Sequence, residues 1–256
     1  MKSPIEPAPE PRGAAIALRR PTLLELLAET WQVAQDLPIF LTAPLYRRWH
    51  LRWGATAAEA NAPLPGDTLV PAAQYRSTRA ITIAAPASQV WPWLVQVGCL
   101  RAGFYSNDLL DNLARPSTTT IIPALQHLKV GQLIPMSPSG TVSERTAFKV
   151  HSFRVNQWML WSKPDSTWAW SLTPTSTDGT RLVTRIRAFY DWQHPLAGLT
   201  ALVLMEFGDF AMLRRMLRNI KARAEPSATV HGLQKAPAQA PAAYAQARSR
   251  FPGGGR

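Results

Sequence analysis

The sequence predicts an α+β fold in which a curved antiparallel sheet wraps around one long C-terminal helix. Three observations predict it. The stretch Tyr75 to Ala114 reads as a strand, a tight link, one helix, a break at Gly98 and a second short helix. Downstream, alternating segments separated by turn residues read as strands. The last patterned segment, Leu199 to Ala224, reads as one long helix. Strand, two helices, sheet, long helix is the order of a helix-grip arrangement, in which a pocket lies between sheet and helix.

The N-terminal part comes first in the chain. Residues 1–20 are proline-rich and polar, with little to bury, and are expected to be disordered. The leading MKSPIEPAPEPRG has no apolar core and is not expected to act as a signal peptide. Residues 21–74 read as a helical extension. It opens on a capping box, Thr22 with Glu25 three residues on. Leu24, Leu27, Ala28, Trp31 and Ala34 recur at helical spacing, and Pro38 is expected to stop the helix. That apolar face is expected to cover the main domain. The acids Glu25, Glu29 and Asp36 on its polar face argue against a role on anionic lipid. The segment RRWHLRWGAT gathers Arg47, Arg48 and Arg52 with Trp49 and Trp53, a candidate arginine–aromatic patch. A short helix is expected over residues 57–62, followed by a turn at Pro63, Pro65, Gly66 and Asp67.

The main domain is expected over residues 75–225. In the first strand, Tyr75 to Ile83, Ser77, Arg79, Ile81 and Ile83 share a face, so Arg79 enters the interior with the isoleucines. Pro86 sits where a helix begins, with Val90, Trp93, Leu94 and Val97 on its buried side, and Gly98 suits its C-terminal end. Ser106 is placed to cap the next helix, with Asp108 in the first turn. A turn of helix is expected near Pro123 to Leu128. Strands are expected near Gln132 to Met136, Thr146 to Val155, Gln157 to Ser162, Thr167 to Thr173 and Arg181 to Trp192, with turns at Gly140, Asn156, Pro164–Asp165 and Asp178–Gly179. In the last strand Leu182, Thr184, Ile186 and Ala188 form a greasy face. Arg181, Arg185 and Arg187 form a cationic face, which is expected to meet water. On the long helix, Leu199, Val203, Phe210, Leu213, Leu217 and Ile220 form one stripe with Glu206 in its middle. After Pro226 the composition turns to Ala, Pro and Gln, and residues 226–256 read as a disordered basic tail.

Composition limits the function classes. The chain has 256 residues, 46% of them hydrophobic, enough for one sizeable core. The net charge of +12 is zero over residues 1–74, +8 over 75–225 and +4 over 226–256. The plainest reading is a solvated basic surface. The sequence lacks a dense Lys/Arg block interleaved with aromatics, so nucleic acid is not an expected partner. The single cysteine, Cys99, excludes an intrachain disulfide and leads to a cytoplasmic expectation. No Cys/His cluster has zinc spacing, and neither a metal nor a cofactor is expected. The longest apolar run, Leu196 to Met205, is too short to span a bilayer.

The order of strand, APASQVWPWLVQVG and GFYSNDLLDNL, with the terminal helix EFGDFAMLRRMLRNIKARAE, resembles the SRPBCC superfamily. That superfamily holds START-like lipid-transfer domains, polyketide cyclase/dehydrase-like proteins and plant-allergen-like helix-grip domains. The preceding RWGAT and PLPGDTLVP resemble an N-terminal extension in one bacterial branch. The resemblance covers about residues 47 to 225. It implies a cavity for a hydrophobic or amphipathic small molecule between sheet and long helix. It carries over no catalytic constellation.

The expected function is therefore binding or carriage of a small hydrophobic or amphipathic ligand. Its expected contacts are Arg79, Trp93, Tyr105, Asp108, Trp158, Trp168, Glu206 and Phe210. Arg79 and Glu206 are expected to meet in that interior as a pair. The alternative is a cyclase/dehydrase-type enzyme using acids and bases such as Glu206, Asp108 and His127. His50, His127, His151, His194 and His231 share no motif, and no catalytic residue is assigned. A third reading is a protein- or membrane-associated module with weak peripheral membrane contact. Oligomeric state is left open.

Overall fold

The computed structural model describes residues 20–136 and 142–235. The expected disorder of residues 1–19, the turn at Gly140 and the tail from residue 236 fall outside them. The N-terminal extension contains α1 (Leu23–Thr42), a 3-10 turn at Ala43–Tyr46, α2 (Arg47–His50) and α3 (Ala57–Asn61). The main domain follows with β1 (Tyr75–Ile83), α4 (Ala87–Val95), α5 (Asp108–Asp111) and a 3-10 turn at Pro123–Leu125. Then come β2 (Leu133–Pro135), β3 (Ala147–Arg154), β4 (Trp158–Lys163), β5 (Ser166–Pro174) and β6 (Thr180–Ala188). The C-terminal helix is α6 (Pro195–Val203), a π turn at Leu204–Gly208 and α7 (Asp209–Lys235).

The six strands form one antiparallel sheet in the order β1-β6-β5-β4-β3-β2. The chain thus leaves β1, makes its helices, and returns to lay a meander whose last strand pairs with the first. Alternation puts Tyr75, Arg79 and Ile83, with Trp168, Trp170, Leu182 and Ile186, on the face that meets α7. From α7 come Leu213, Met216, Leu217 and Ile220. This is the helix-grip architecture that the sequence predicts.

Three expectations about elements are corrected. Pro38 does not stop α1, which runs on to Thr42. Pro38 lies on the exposed side of α1. Pro86 is the N-cap of α4 and precedes its first residue. The C-terminal helix does not end at Pro226 but continues to Lys235. The expected capping box at Thr22–Glu25 is formed, and a second one, at Thr56–Glu59, opens α3.

The cationic face of β6 does not meet water. The extension lies across it, and Arg185 and Arg187 are buried. Arg185 donates to the carbonyls of Glu59, Ala60 and Ala62, to the Asp67 carboxylate at 2.6 Å, and to Thr78 Oγ1. Arg187 donates to the carbonyls of Val70 and Pro71 at 2.9 and 2.8 Å. Arg181 grips the Glu59 carboxylate with Nε and Nη2 and donates to the Gly54 carbonyl. A guanidinium offers five donors in a fixed fork, so three arginines satisfy a loop that has no sheet partner of its own. The edge of β1 is covered in the same way: Thr78 and Ala80 donate their amides to the carbonyls of Leu51 and Trp53. Gly54 makes the approach feasible. Its φ is +72°, and a Cβ there would lie 2.1 Å from the Ala80 carbonyl oxygen.

Candidate functional site

A groove of about 560 Å³ runs between α1 and α7 and is lined also by α5 and its flanking loops. From α1 it takes Glu29, Gln32, Asp36 and Ile39, and from α5 and the loops on either side of it Tyr105, Asp108 and Ser117. From α7 it takes Arg214, Arg215, Arg218 and Arg223.

The loop wall is built under strain. Leu100, Tyr105, Leu113 and Ala114 all adopt left-handed backbone conformations, at about 1–3 kcal/mol each. Specific bonds hold Tyr105 there. Its amide donates to Ser117 Oγ at 3.1 Å, and its carbonyl accepts from Asn219 Nδ2 on α7 at 2.8 Å. Its hydroxyl accepts from Gln96 at 2.7 Å, and its ring meets Trp93 edge to face at 6.0 Å. Ser106 does not cap α5, whose N-cap is Asn107. Its hydroxyl donates to the buried Asp111 carboxylate.

The groove's charges divide into paired and unpaired. Arg215 donates to Gln32 and to Asp36, tying α7 to α1. Arg223 donates to the Thr118 carbonyl and lies 4.6 Å over the Tyr105 ring. Arg214 and Arg218 lie against aromatic faces, Phe210 at 5.9 Å and Trp53 at 5.6 Å; among the described residues neither donates a hydrogen bond or forms a close ion pair, and Asp36 acts on Arg214 only from a distance. On the acid side, burial raises the Asp108 carboxyl above its usual range, against the pull of two bonds from Ser117. Burial, and then the nearby Asp108, raise Glu29. Asp111, behind the wall, is pushed by burial to about 7.

The predicted contacts do not form one site. Tyr105 and Asp108 line the groove. Trp93 stands behind Tyr105. Trp168 is on the sheet's inner face, stacked on Trp170 at 4.5 Å and edge-on to Trp161 at 5.6 Å, with its Nε1 donating to Thr184. Rings of Phe148, Trp161, Trp168 and Trp170 pack against one another in the core on the sheet's inner face. Trp158 lies on the other face of the sheet from Trp168, because it pairs with Ser171 while Trp161 pairs with Trp168.

Arg79 and Glu206 do not pair. Arg79, fully buried, is held by Asp209, by the Tyr75 hydroxyl and by the His50 carbonyl at 2.8 Å. Glu206 takes a two-pronged bond from Arg47, at 2.7 and 2.8 Å, and one from the Tyr190 hydroxyl at 3.3 Å. The π turn is the reason. It inserts extra backbone at Leu204–Gly208, so the stripe before it and the stripe after it face different ways. Leu199 and Val203 are exposed, while Phe210, Leu213, Leu217 and Ile220 are buried. Phe210 packs against His50, Trp49 and Tyr46 of the extension. Cys99 is buried, as expected of a lone small hydrophobe, and burial raises its thiol to about 11.

Sequence reasoning missed Arg214 and Arg218 as a site. The signal available was the polar face of α1, whose Glu29, Gln32 and Asp36 recur at helical spacing. It missed Asp209 because a regular helix carries Glu206 to that position.

No family model matches the chain, and no curated protein matches it. Several solved structures resemble it. The protein MLL2253 of Mesorhizobium loti is 16% identical, over 60% of this chain and 98% of that one, at a TM-score of 0.35. A polyketide-cyclase-like protein of Corynebacterium glutamicum is 18% identical, over 64% and 96%, also at 0.35. A conserved protein of Enterococcus faecalis is 13% identical, over 62% and 83%, at 0.35. The helix-grip assignment rests on the strand order and the long helix described above.

Proposed function

We propose that the protein binds or carries a small amphipathic ligand whose anionic end rests on Arg214 and Arg218 in the groove between α1 and α7. The observation that supports this most is that two guanidinium groups line one groove with aromatic faces beneath them and no acceptor among the described residues. Such groups hold their hydration weakly and match carboxylate or phosphate oxygens two at a time. Ile39, Ala211 and the ring of Tyr105 supply apolar wall, and the volume suits a small molecule. The ligand class is the one expected from the sequence; its site moves to the other side of the helix.

Native mass spectrometry of the purified protein identifies any retained molecule. Titration calorimetry with octanoate and octanol then tests the charge. Octanoate is expected to bind at least about tenfold more tightly, as a charge-assisted hydrogen bond contributes about 1.5–3 kcal/mol. The Arg214→Gln, Arg218→Gln double variant should remove the difference. Equal affinity for acid and alcohol in the natural protein counts against the proposal.

A second reading, acid–base catalysis of the cyclase/dehydrase type, is favoured by one observation. Asp108 and Glu29 face the groove as carboxyls held above their usual range by burial, which suits donation of a proton to a bound substrate. Turnover lost in Asp108→Asn while octanoate binding persists would support it.

A further inference from the structure

The helix α1 is turned with its polar face inward. Leu24, Leu27, Trp31, Ala34, Pro38, Leu41 and Leu45 follow one another at alternating spacings of three and four, and they face away from the protein. Exposure is 79% for Leu24, 58% for Leu27, 66% for Trp31, 64% for Leu41 and 85% for Leu45. This overturns the expectation that the apolar face covers the main domain. The face is also larger than α1. Helix α1 and the turn after it touch the π turn, and beyond that turn α6 exposes Leu196 at 83% and Leu199 at 52%, with Val203 and Leu204. Soluble monomers rarely leave so continuous an apolar surface uncovered.

We infer that this surface docks on an anionic membrane, with α1 and α6 lying in the interface between headgroups and acyl chains. The charge pattern favours it. The acids of α1 that argued against lipid are used elsewhere: Glu25 caps Thr22, Asp36 binds Arg215, and Glu29 faces the groove. The outward residues of α1 therefore carry no acid. Where the stripe ends, Arg48 and Arg52 enter a second groove of about 440 Å³ with Arg76, and no acidic side chain lines it. Exposed Trp31, Trp49 and Trp192 supply the amphipathic rings that settle at headgroup level. Neither α1 nor α6 carries a cation, so the attraction to anionic headgroups comes from Arg48 and Arg52 beside the stripe, and the helices contribute the apolar face that lies along a bilayer surface.

The other occupants fit less well. Residues 1–19 offer only Met1, Ile5, Ile16 and Leu18 as large aliphatic side chains, and residues 236–256 only Tyr244 and Phe251 as large apolar ones. A paired helix from a second copy would have to seat Pro38 and Trp31 in the seam. A span of the bilayer conflicts with the fold. The helix from Pro195 to Glu225 is long and apolar enough to cross, yet its second half is packed into the sheet through Leu213, Leu217 and Ile220. The inference is independent of what the groove binds.

Sedimentation of the full chain with phosphatidylcholine vesicles, with and without phosphatidylglycerol, tests it. Binding is expected to the anionic vesicles and to weaken with salt. The Trp31→Asp, Leu41→Asp double variant should lose about tenfold or more of its partition while keeping its Tm. Arg48→Glu with Arg52→Glu should abolish the preference for phosphatidylglycerol. Failure of the natural chain to sediment with anionic vesicles, or undiminished binding by the Trp31/Leu41 variant, overturns the inference. So does a dimer at the same concentrations that this variant converts to monomer, which assigns the surface to a second copy.

Discussion

At the scale of single residues, Glu206 in the π turn and Asp209 at the start of α7 have different tasks. Asp209 neutralises Arg79, whose side chain has no exposure, whereas Arg47, the partner of Glu206, is 41% exposed. Asp209→Asn leaves a buried cation without its counter-charge and should cost about 3–5 kcal/mol. Glu206→Gln releases an arginine that water can solvate and should cost about 1 kcal/mol or less. Urea denaturation distinguishes them, and equal losses would contradict the assignment. Asp111 has the opposite character. Burial raises its folded-state carboxyl from 3.8 to about 7, so the folded state binds the proton more tightly than the unfolded state. Its contribution is therefore most favourable in acid, is lost as pH rises from about 4 to about 7, and stays lost above. A shift of about three units corresponds to roughly 4 kcal/mol. Asp111→Asn, which keeps the neutral shape, should raise Tm at alkaline pH and leave it unchanged in acid. A constant difference across pH would show that the carboxyl is not held protonated.

At the scale of elements, the extension is bound to the outer face of the sheet by Arg181, Arg185 and Arg187 and sewn to the edge of β1. The sequence displayed those arginines plainly but not their environment. Alternation assigns a side chain to a face, and cannot say what else in the chain covers that face. Gly54 tests the arrangement. Gly54→Ala must hold a left-handed backbone and push against the carbonyl of Ala80. It should cost about 2 kcal/mol or more, read from thermal unfolding. A loss within a few tenths would mean that the loop can leave the sheet freely. The direction of α1 was hidden for a related reason. Amphipathicity located its two faces, and the expectation that the apolar one turns inward fails because the neighbouring surface of α7 offers Arg214, Arg215 and Arg218 to its polar side.

At the scale of the whole molecule, strand bounds, sheet alternation and the capping box of α1 were legible because they depend on local pattern. The bounds of β1 were read to the residue. The proposed site was not, because it depends on the π turn, on a reversed helix and on left-handed residues in the loops on both sides of α5, none of which has a periodic signature. The basic balance is likewise a matter of assembly, since Arg79, Arg185 and Arg187 are spent inside the protein. The proposed ligand site uses the pair on α7. The most direct test is the NMR spectrum of arginine side-chain Nε–H groups and tryptophan indoles during titration with octanoate. The resonances of Arg214 and Arg218 should move together and saturate, while those of Arg185 and Arg187 stay fixed. Movement of the Trp161, Trp168 and Trp170 indoles with Arg214 and Arg218 unmoved would contradict the account and place the ligand between sheet and helix.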